Sequence, residues 1–262
     1  MEISEWIAAL QIDGERLAAA AGKAGPEAPV PSCPEWVVRD LVRHQGGVHR
    51  WATGYVAEGR TEVWNVDLDE VVGTWPDDAD LVPWFRAGHA RLVEALSTAD
   101  PALECWTWLP APSPLAHWAR RQAHETSIHR VDAELAAGVT PSVPYPTFAA
   151  DGVDELLTCF VPRRSKRLAV EAPRTLAVRA TDTSAAWTLT FGPDGVTVTT
   201  DTGTADTGTT DAGDGADCEL RGAAADLYLT LWNRLDNPAS LEVAGDEAVL
   251  AHLRDTVHIR WS

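Results

Sequence analysis

Two histidines and one glutamate are the side chains whose types and spacing most clearly suggest chemistry. His44 interrupts the apolar three-four pattern of residues 36–58, at a position where a bundle helix normally carries leucine. Glu125 and His129 are four residues apart, so at about 100° per residue they share one face of a predicted helix over 115–137. Two imidazoles and a carboxylate converging inside a bundle predict a divalent-metal site. Three protein ligands that leave a fourth position open are typical of catalytic zinc.

Simpler interpretations of these residues stay open at this point. A single buried histidine is more often a hydrogen-bonded core residue than a ligand, and a structural Glu–His hydrogen bond would also satisfy the second pair. A zincin motif is rejected because His124 and His129 are five residues apart and diverge by about 140° on a helix. A di-iron bundle would need a Glu–His pair on two helices, and only one such pair is present. His49 is five residues from His44 and is therefore predicted to lie off its stripe.

Two further residues are candidates for contact with a substrate. Trp51 follows His44 by seven residues on the same predicted face, so it is a candidate wall of a pocket beside the metal. Arg234 ends a predicted helix near the C-terminus. Its positive charge either stabilises the C-terminal end of that helix or binds an anionic ligand; in the second case the Arg234 side chain would face the N-terminal domain.

Composition and charge narrow the class of partner. The 262 residues carry a formal charge of −18 and a sequence pI near 4.7, which argues against non-specific binding to nucleic acid or to an anionic membrane. A small-molecule partner is expected, and an anionic one would need locally placed arginine or lysine. The sequence says nothing about oligomeric state.

Cysteine usage and the N-terminus indicate a cytoplasmic chain. Cys33, Cys105, Cys159 and Cys218 are widely scattered, so neither a zinc ribbon nor a disulfide scaffold is predicted. The first residues are acidic where a signal peptide needs basic ones, and no apolar run reaches membrane-spanning length.

The chain is predicted to form two domains, 1–145 and 146–262. Four amphipathic segments in the first predict a four-helix bundle; they are centred on residues 3–21, 37–55, 81–95 and 115–135. Ser32 and Glu35 are a candidate capping box for the second helix. The residues Val38-Arg39-Asp40 also allow that helix to begin slightly later. Stretch 59–80 is expected to be a loop.

The second domain is predicted to be a small α+β unit. The proline-rich segment 138–146 is predicted to be a linker. Strands are expected at 174–181, 186–191, 195–200, 218–220 and 241–243. Gly192-Pro193-Asp194-Gly195 is a hairpin turn signal. Helices are expected over 223–235 and 246–254, and the Asp/Gly/Thr stretch 202–217 is expected to be a solvated loop.

Three segments together resemble a known family. CPEWVVRDLVRHQGGVHRWA (33–52), RRQAHETSIHRVDAELAAG (120–138) and LYLTLWNRLDNPASLEVAGDEAVL (227–250) resemble the mycothiol-dependent maleylpyruvate isomerase family. The resemblance implies a DinB-like metal-binding four-helix bundle followed by a sterol-carrier-like C-terminal domain. It also implies zinc or another divalent metal bound by His44, Glu125 and His129, with Arg234 as the arginine of the L-W-x-R segment. Val37 departs from the Ser or Thr that the family commonly uses to cap the helix.

The function implied is that of a zinc-dependent enzyme that activates a low-molecular-weight thiol, mycothiol, for addition to a small electrophile. The resemblance leaves open an S-transferase or a cis–trans isomerase, with Arg234 as a catalytic residue that holds a substrate carboxylate or developing enolate. Two alternatives from other classes are a non-catalytic binding protein with a structural metal and a hydrolase that uses zinc-bound water.

Overall fold

The computed structural model describes residues 1–201, 215–236 and 238–257. The chain divides into two compact units, Met1–Ser142 and Val143–Ser262. Most of the Asp/Gly/Thr stretch, 202–214, lies outside the described residues, so the expectation of a solvated loop there is untested. Among the described helices, none is long and apolar enough to cross a membrane.

The first unit is helical, as predicted, and the four long predicted helices are present. They run over Ile3–Ala24 (α1), Val38–Glu58 (α2), Leu81–Thr98 (α4) and Pro114–Ala136 (α5). A short helix, Leu68–Val72 (α3), and a 3-10 turn, Asp78–Asp80, occupy the stretch predicted to be a loop. The loop prediction was wrong here because the Asp67 side chain accepts a hydrogen bond from the Glu70 amide and caps α3.

Helix α5 lies at the centre of the bundle and packs against α1, α2 and α4. Almost every residue from Leu115 to Glu134 is therefore buried, although many of them are charged or polar. A buried charge is costly unless it is paired. Arg130, for example, forms ion pairs with Asp13 of α1 and with Glu134. The polar residues of α5 must consequently find partners inside the protein, and the candidate site is one group of such partners.

Helix α2 begins at Val38, and the predicted Ser32–Glu35 capping box is wrong. The Asp40 carboxylate accepts a hydrogen bond from the Val37 amide, at 3.0 Å, which is the contact that the third helical residue makes in a capping box. Val37 has no hydroxyl to supply the reciprocal contact. The loop before α2 is held by an isolated antiparallel bridge between Pro29 and Val37. Ser32 lies between the two residues of this bridge, and its hydroxyl donates a hydrogen bond to Asp132 of α5.

The buried face of α2 is rotated from the predicted one. His49, predicted to lie off the stripe, is fully buried together with Gln45, while His44, Val48 and Trp51 are only half-buried. His49 is tolerated inside because its Nε2 lies 2.9 Å from both the Gln45 side-chain amide and the Thr126 hydroxyl of α5. His44 thus lies at the border between core and solvent, where a ligand can reach it.

The second unit is a five-stranded sheet with helices, in agreement with the predicted α+β class. The strands are Arg174–Ala180 (β1), Ala186–Gly192 (β2), Gly195–Asp201 (β3), Cys218–Gly222 (β4) and Glu242–Gly245 (β5). Their order is β3-β2-β1-β4-β5, antiparallel except for the parallel pair β1–β4. The predicted hairpin is confirmed, since Gly192 pairs with Gly195 across the β2–β3 turn.

The helices of the second unit differ from the predicted ones in two places. Pro146, read as part of the linker, is the first residue of helix α6 (Pro146–Asp154), a position where proline is favoured. The chain continues from α6 as a π turn, Glu155–Phe160, and a 3-10 segment, Val161–Leu168.

Helix α7 (Ala224–Leu231) ends earlier than predicted, and α8 spans Glu247–Thr256. Asn233 adopts a left-handed φ of 61°, and the Arg234 amide donates to the Leu229 carbonyl at 2.7 Å. This closing bond terminates α7.

Candidate metal centre

The structure brings together the three predicted metal ligands. His44 projects from α2, while Glu125 and His129 project from successive turns of α5. The Glu125 Oε1 atom lies 3.6 Å from Nε2 of His44 and 3.5 Å from Nε2 of His129. One ligand atom from each of the three residues lies within 4.8 Å of the other two.

These separations suit a shared cation better than direct hydrogen bonds. An N–H···O hydrogen bond normally spans 2.7–3.2 Å, so both Glu125–His contacts are too long. Two ligand atoms about 2.0–2.1 Å from a tetrahedral zinc ion stand roughly 3.3–3.4 Å apart. Nitrogen and carboxylate oxygen are also donors that zinc prefers. The residues present therefore fit a divalent metal of the zinc type.

Asp132 fixes the orientation of His129. Its Oδ2 atom lies 2.9 Å from Nδ1 of His129, and its Oδ1 atom accepts a short hydrogen bond from the Ser32 hydroxyl. An ionised carboxylate only accepts hydrogen bonds, so Nδ1 of His129 carries a proton, and Nε2, on the side of Glu125 and His44, is the nitrogen available to a metal. This is the tautomer a metal ligand requires.

Arg121 holds the other oxygen of Glu125. Its Nη2 atom donates to Oε2 at 2.9 Å, and both side chains are buried. Burial by itself would raise the pKa of Glu125, but the neighbouring imidazoles of His129 and His44 and the charge of Arg121 hold that pKa well below its usual range. Glu125 is consequently a carboxylate with one oxygen engaged by Arg121 and the other directed to the histidines.

The two histidines differ in electrostatics. Burial lowers the pKa of His44, against the pull of Glu125. Burial acts in the same direction on His129, but the hydrogen bond with Asp132 and the negative charge of Glu125 outweigh it and raise the pKa of His129. His44, with 19% of its side chain exposed, is thus the candidate ligand that favours the neutral form, and it lies on the accessible side of the cluster.

Trp36 is an aromatic residue that lines this cluster, and sequence reasoning missed it. Its ring centroid lies 5.0 Å from that of His44 and 6.0 Å from that of His129, and the Trp36 and His129 ring planes meet at 29°. Trp51 contacts other aromatic rings, those of Tyr55, Trp106 and Trp118. The signal for Trp36 in the sequence is weak because it lies in the loop before α2, where helical periodicity gives no information.

Arg234 lies in the second unit, at the C-terminal end of α7. Its Nη1 atom donates to the Trp232 carbonyl at 2.8 Å, and the residue is 8% exposed. The contact is that of a cation at a helix C-terminus. The role of Arg234 toward an anionic substrate stays a prediction.

No protein cysteine belongs to the cluster within the described residues. The four cysteines are thiols rather than disulfides; Cys105, Cys159 and Cys218 are buried, and Cys33 is half-buried. Burial raises the pKa of both the Cys105 and the Cys218 thiols, so these remain protonated at neutral pH. A nucleophilic thiol at this site would have to come from a substrate.

Comparison with known proteins gives two family matches. Residues 7–134 match the mycothiol maleylpyruvate isomerase N-terminal domain, and residues 147–252 match the C-terminal domain of the same family. No curated protein matches the chain.

Two solved structures are similar over almost the whole chain. A crystal structure of the mycothiol-dependent maleylpyruvate isomerase is 13% identical, with a TM-score of 0.61, and 93% of each chain is covered. A histidine-to-alanine mutant of the mycothiol-dependent maleylpyruvate isomerase is 11% identical, with a TM-score of 0.62 and the same coverage. At these identities the likeness shows a shared fold. Because the two domain matches together span most of the chain, this protein belongs to the mycothiol-dependent maleylpyruvate isomerase family of enzymes.

Proposed function

We propose that this protein is a zinc-dependent cis–trans isomerase that uses mycothiol as thiol cosubstrate and acts on a small electrophilic acid such as maleylpyruvate. The observation that carries the proposal is the convergence of His44, Glu125 and His129, with one atom of each within 4.8 Å of the others, in a chain of this family. Two histidines and one glutamate are a known ligand set of catalytic zinc.

The residues of the site would hold a metal in two ways, as direct ligands and as groups that orient those ligands. His44, Glu125 and His129 would be its ligands, Asp132 orients His129, and Arg121 keeps Glu125 from turning its second oxygen inward. A bound zinc ion would supply a lowered pKa for a thiol, from about 8.5 to well below neutrality. Three protein ligands leave a coordination position for that thiol.

Cis–trans conversion of an activated double bond needs a nucleophile that adds and later leaves. Addition converts the double bond to a single bond, rotation follows, and elimination restores the double bond in the trans form and releases the nucleophile unchanged. The cysteines of the chain do not join the cluster, which supports an external thiol in this role. If the nucleophile stayed attached, the same site would give an S-transferase, which is the second candidate.

Two residues are proposed to contact the substrate. Arg234 is proposed to hold a substrate carboxylate or a developing enolate, because a guanidinium binds carboxylates through two parallel hydrogen bonds. Trp51 is proposed as an aromatic wall of the pocket on the half-buried side of α2 that also carries His44 and Val48. Mycothiol in its reduced form implies action in the cytoplasm.

The proposal is tested by incubating the zinc-loaded protein with mycothiol and maleylpyruvate while following both cis–trans conversion and thiol concentration. Conversion with no net consumption of thiol is expected. Consumption would indicate transfer, and turnover that does not need the thiol would indicate a hydrolase. Absence of both reactions would favour a binding protein and contradict the proposal.

His44→Ala is expected to abolish conversion while leaving the fold intact, because His44 lies at the edge of the core. His252→Ala is the matched control, since it removes a half-buried imidazole from the second unit. Equal loss of conversion in both variants would argue against a role for His44 as a metal ligand.

A further inference from the structure

A run of positive charge stands out in this acidic chain. Four basic residues, Arg163, Arg164, Lys166 and Arg167, fall within five positions of the 3-10 segment Val161–Leu168, in a protein of net charge −18. Lys166 and Arg167 are exposed, and Arg164 is half-buried. Adjacent like charges repel one another, so the cluster is electrostatically unfavourable unless an anion neutralises it.

Three of these four basic residues, Arg164, Lys166 and Arg167, are not neutralised by carboxylates of the described residues. In the described part of the second unit, Arg174, Arg179 and Arg254 form ion pairs with acidic residues. Arg164, Lys166 and Arg167 take part in none of the ion pairs found there. Their donors are consequently available to a ligand from solution.

The basic segment is also concave. Residues 162–167, together with Asp194 of the β2–β3 turn, line an open cavity of about 400 Å³. That volume lies in the usual range for small-molecule sites, roughly 300–1,000 Å³. Apart from Pro162, every lining residue carries a charged or polar group, and four of these groups are cations, so the cavity suits a compact anionic ligand.

Ser165 fixes the basic segment against the sheet. Its Oγ atom accepts from the Val196 amide at 2.8 Å and lies 3.2 Å from the Val196 carbonyl, to which it donates. The backbone of Ser165 approaches Gly195, where φ is +122°, so closely that a Cβ atom there would lie 2.8 Å from the Ser165 carbonyl oxygen. Gly195 therefore permits the close contact, and the flanking cations are presented from a fixed backbone rather than from a loose loop.

We propose that this cavity is a binding site for a small dianion, a phosphate ester or a dicarboxylate, held by Arg164, Lys166 and Arg167. Arginine matches the planar arrangement of oxyanion acceptors, and lysine adds a point charge. Long polyanions are disfavoured because the net charge of the whole chain repels them. The proposal does not depend on the activity of the metal centre.

The test measures binding of inorganic phosphate and of succinate to the full-length protein by calorimetry at constant ionic strength, with sodium chloride as the balancing salt. A Kd of about 1 mM or tighter is expected for at least one of the two dianions. Preference for phosphate would identify a phosphate ester as the ligand class, and preference for succinate a dicarboxylate. Failure of both to bind would overturn the proposal.

Variants locate the binding. The triple variant Arg164→Gln, Lys166→Gln, Arg167→Gln is expected to weaken it at least about tenfold. The matched control, Arg16→Gln, Lys23→Gln, Arg91→Gln, removes the same charge from exposed positions of the first unit and should leave affinity within about twofold of the wild type. Both variants change surface residues, so circular dichroism should show an intact fold in each.

Asp194→Asn gives a prediction of opposite sign. Removing this carboxylate from the lip of the cavity should tighten dianion binding by up to about fivefold, an effect that a structural role would not produce. Unchanged affinity in both this variant and the triple variant would place binding elsewhere and overturn the proposal. Binding only to anionic vesicles or to an oligonucleotide would overturn it as well.

Discussion

Asp132→Asn should weaken metal binding much more than it weakens the fold. The carboxylate of Asp132 accepts from Nδ1 of His129 at 2.9 Å and from the hydroxyl of Ser32, and both Asp132 and His129 are fully buried. An amide can keep the shape and one of the two accepting contacts. It loses the negative charge and allows His129 to adopt the other tautomer, with its proton on Nε2.

The magnitude follows from the position of Asp132 behind a ligand. Loss of such a supporting carboxylate typically costs about 10–100-fold in metal affinity, which is roughly 1.4–2.7 kcal/mol. Asp132→Ala should cost at least as much and should also lower the stability of the metal-free protein by about 1–3 kcal/mol, because the buried Nδ1–H of His129 and the half-buried hydroxyl of Ser32 lose their acceptor.

Competition between the protein and a chromophoric chelator gives the zinc Kd, and urea unfolding in EDTA gives the stability of the metal-free protein. Substitution of Co²⁺ for zinc adds a spectrum that reports coordination geometry. Asp13→Asn is the matched control, since Asp13 is a buried acid paired with Arg130 outside the site. The control should lose stability and keep its zinc affinity.

Two outcomes would refute this reasoning. One is an Asp132→Asn protein that binds zinc within about threefold of the wild type, which would show that Asp132 does not orient a ligand. The other is equal loss of zinc affinity in Asp132→Asn and Asp13→Asn, which would show that the effect is general destabilisation. A wild type that binds no divalent metal would instead remove the proposed metal site itself.

Three further predictions concern the metal, pH and the end of α7. Chelation should abolish isomerase activity and lower the thermal midpoint, because a metal at 100 times its Kd stabilises the folded state by about 2.7 kcal/mol. Readdition of zinc should restore both the activity and the midpoint. Activity that survives chelation would contradict the metal site. Burial, aided by the charge of Arg121, lowers the pKa of His117 to about 3, so its contribution to stability is complete above about pH 6.5 and falls by up to roughly 1.4 kcal/mol per pH unit toward pH 3. Urea midpoints of the metal-free protein should therefore fall less steeply with acidification in His117→Gln than in the wild type, and parallel pH profiles would exclude this source. Asn233→Ala should destabilise the protein by about 1 kcal/mol and Asn233→Gly should not, because φ is 61° there; equal thermal midpoints in the two variants would refute the strain argument.

Features set by neighbouring residues could be predicted from the sequence. The spacing of Glu125 and His129 fixes their common face because a helix repeats every 3.6 residues, wherever that helix packs. The β2–β3 hairpin follows equally from its four-residue turn. The fold class and the family also follow from local motifs, and the domain matches confirm both.

Features set by distant residues could not be predicted in the same way. Ser32 and Asp132 are 100 positions apart, and their hydrogen bond depends on how the loop before α2 meets α5. The burial of His49 and of most of α5, and the position of Trp36 beside His44 and His129, likewise depend on which helices surround them. Helical period determines which residues share a face, but only packing decides what each face meets. The sequence therefore determined the candidate ligands, and the tertiary structure decided their partners and which of them a substrate could approach.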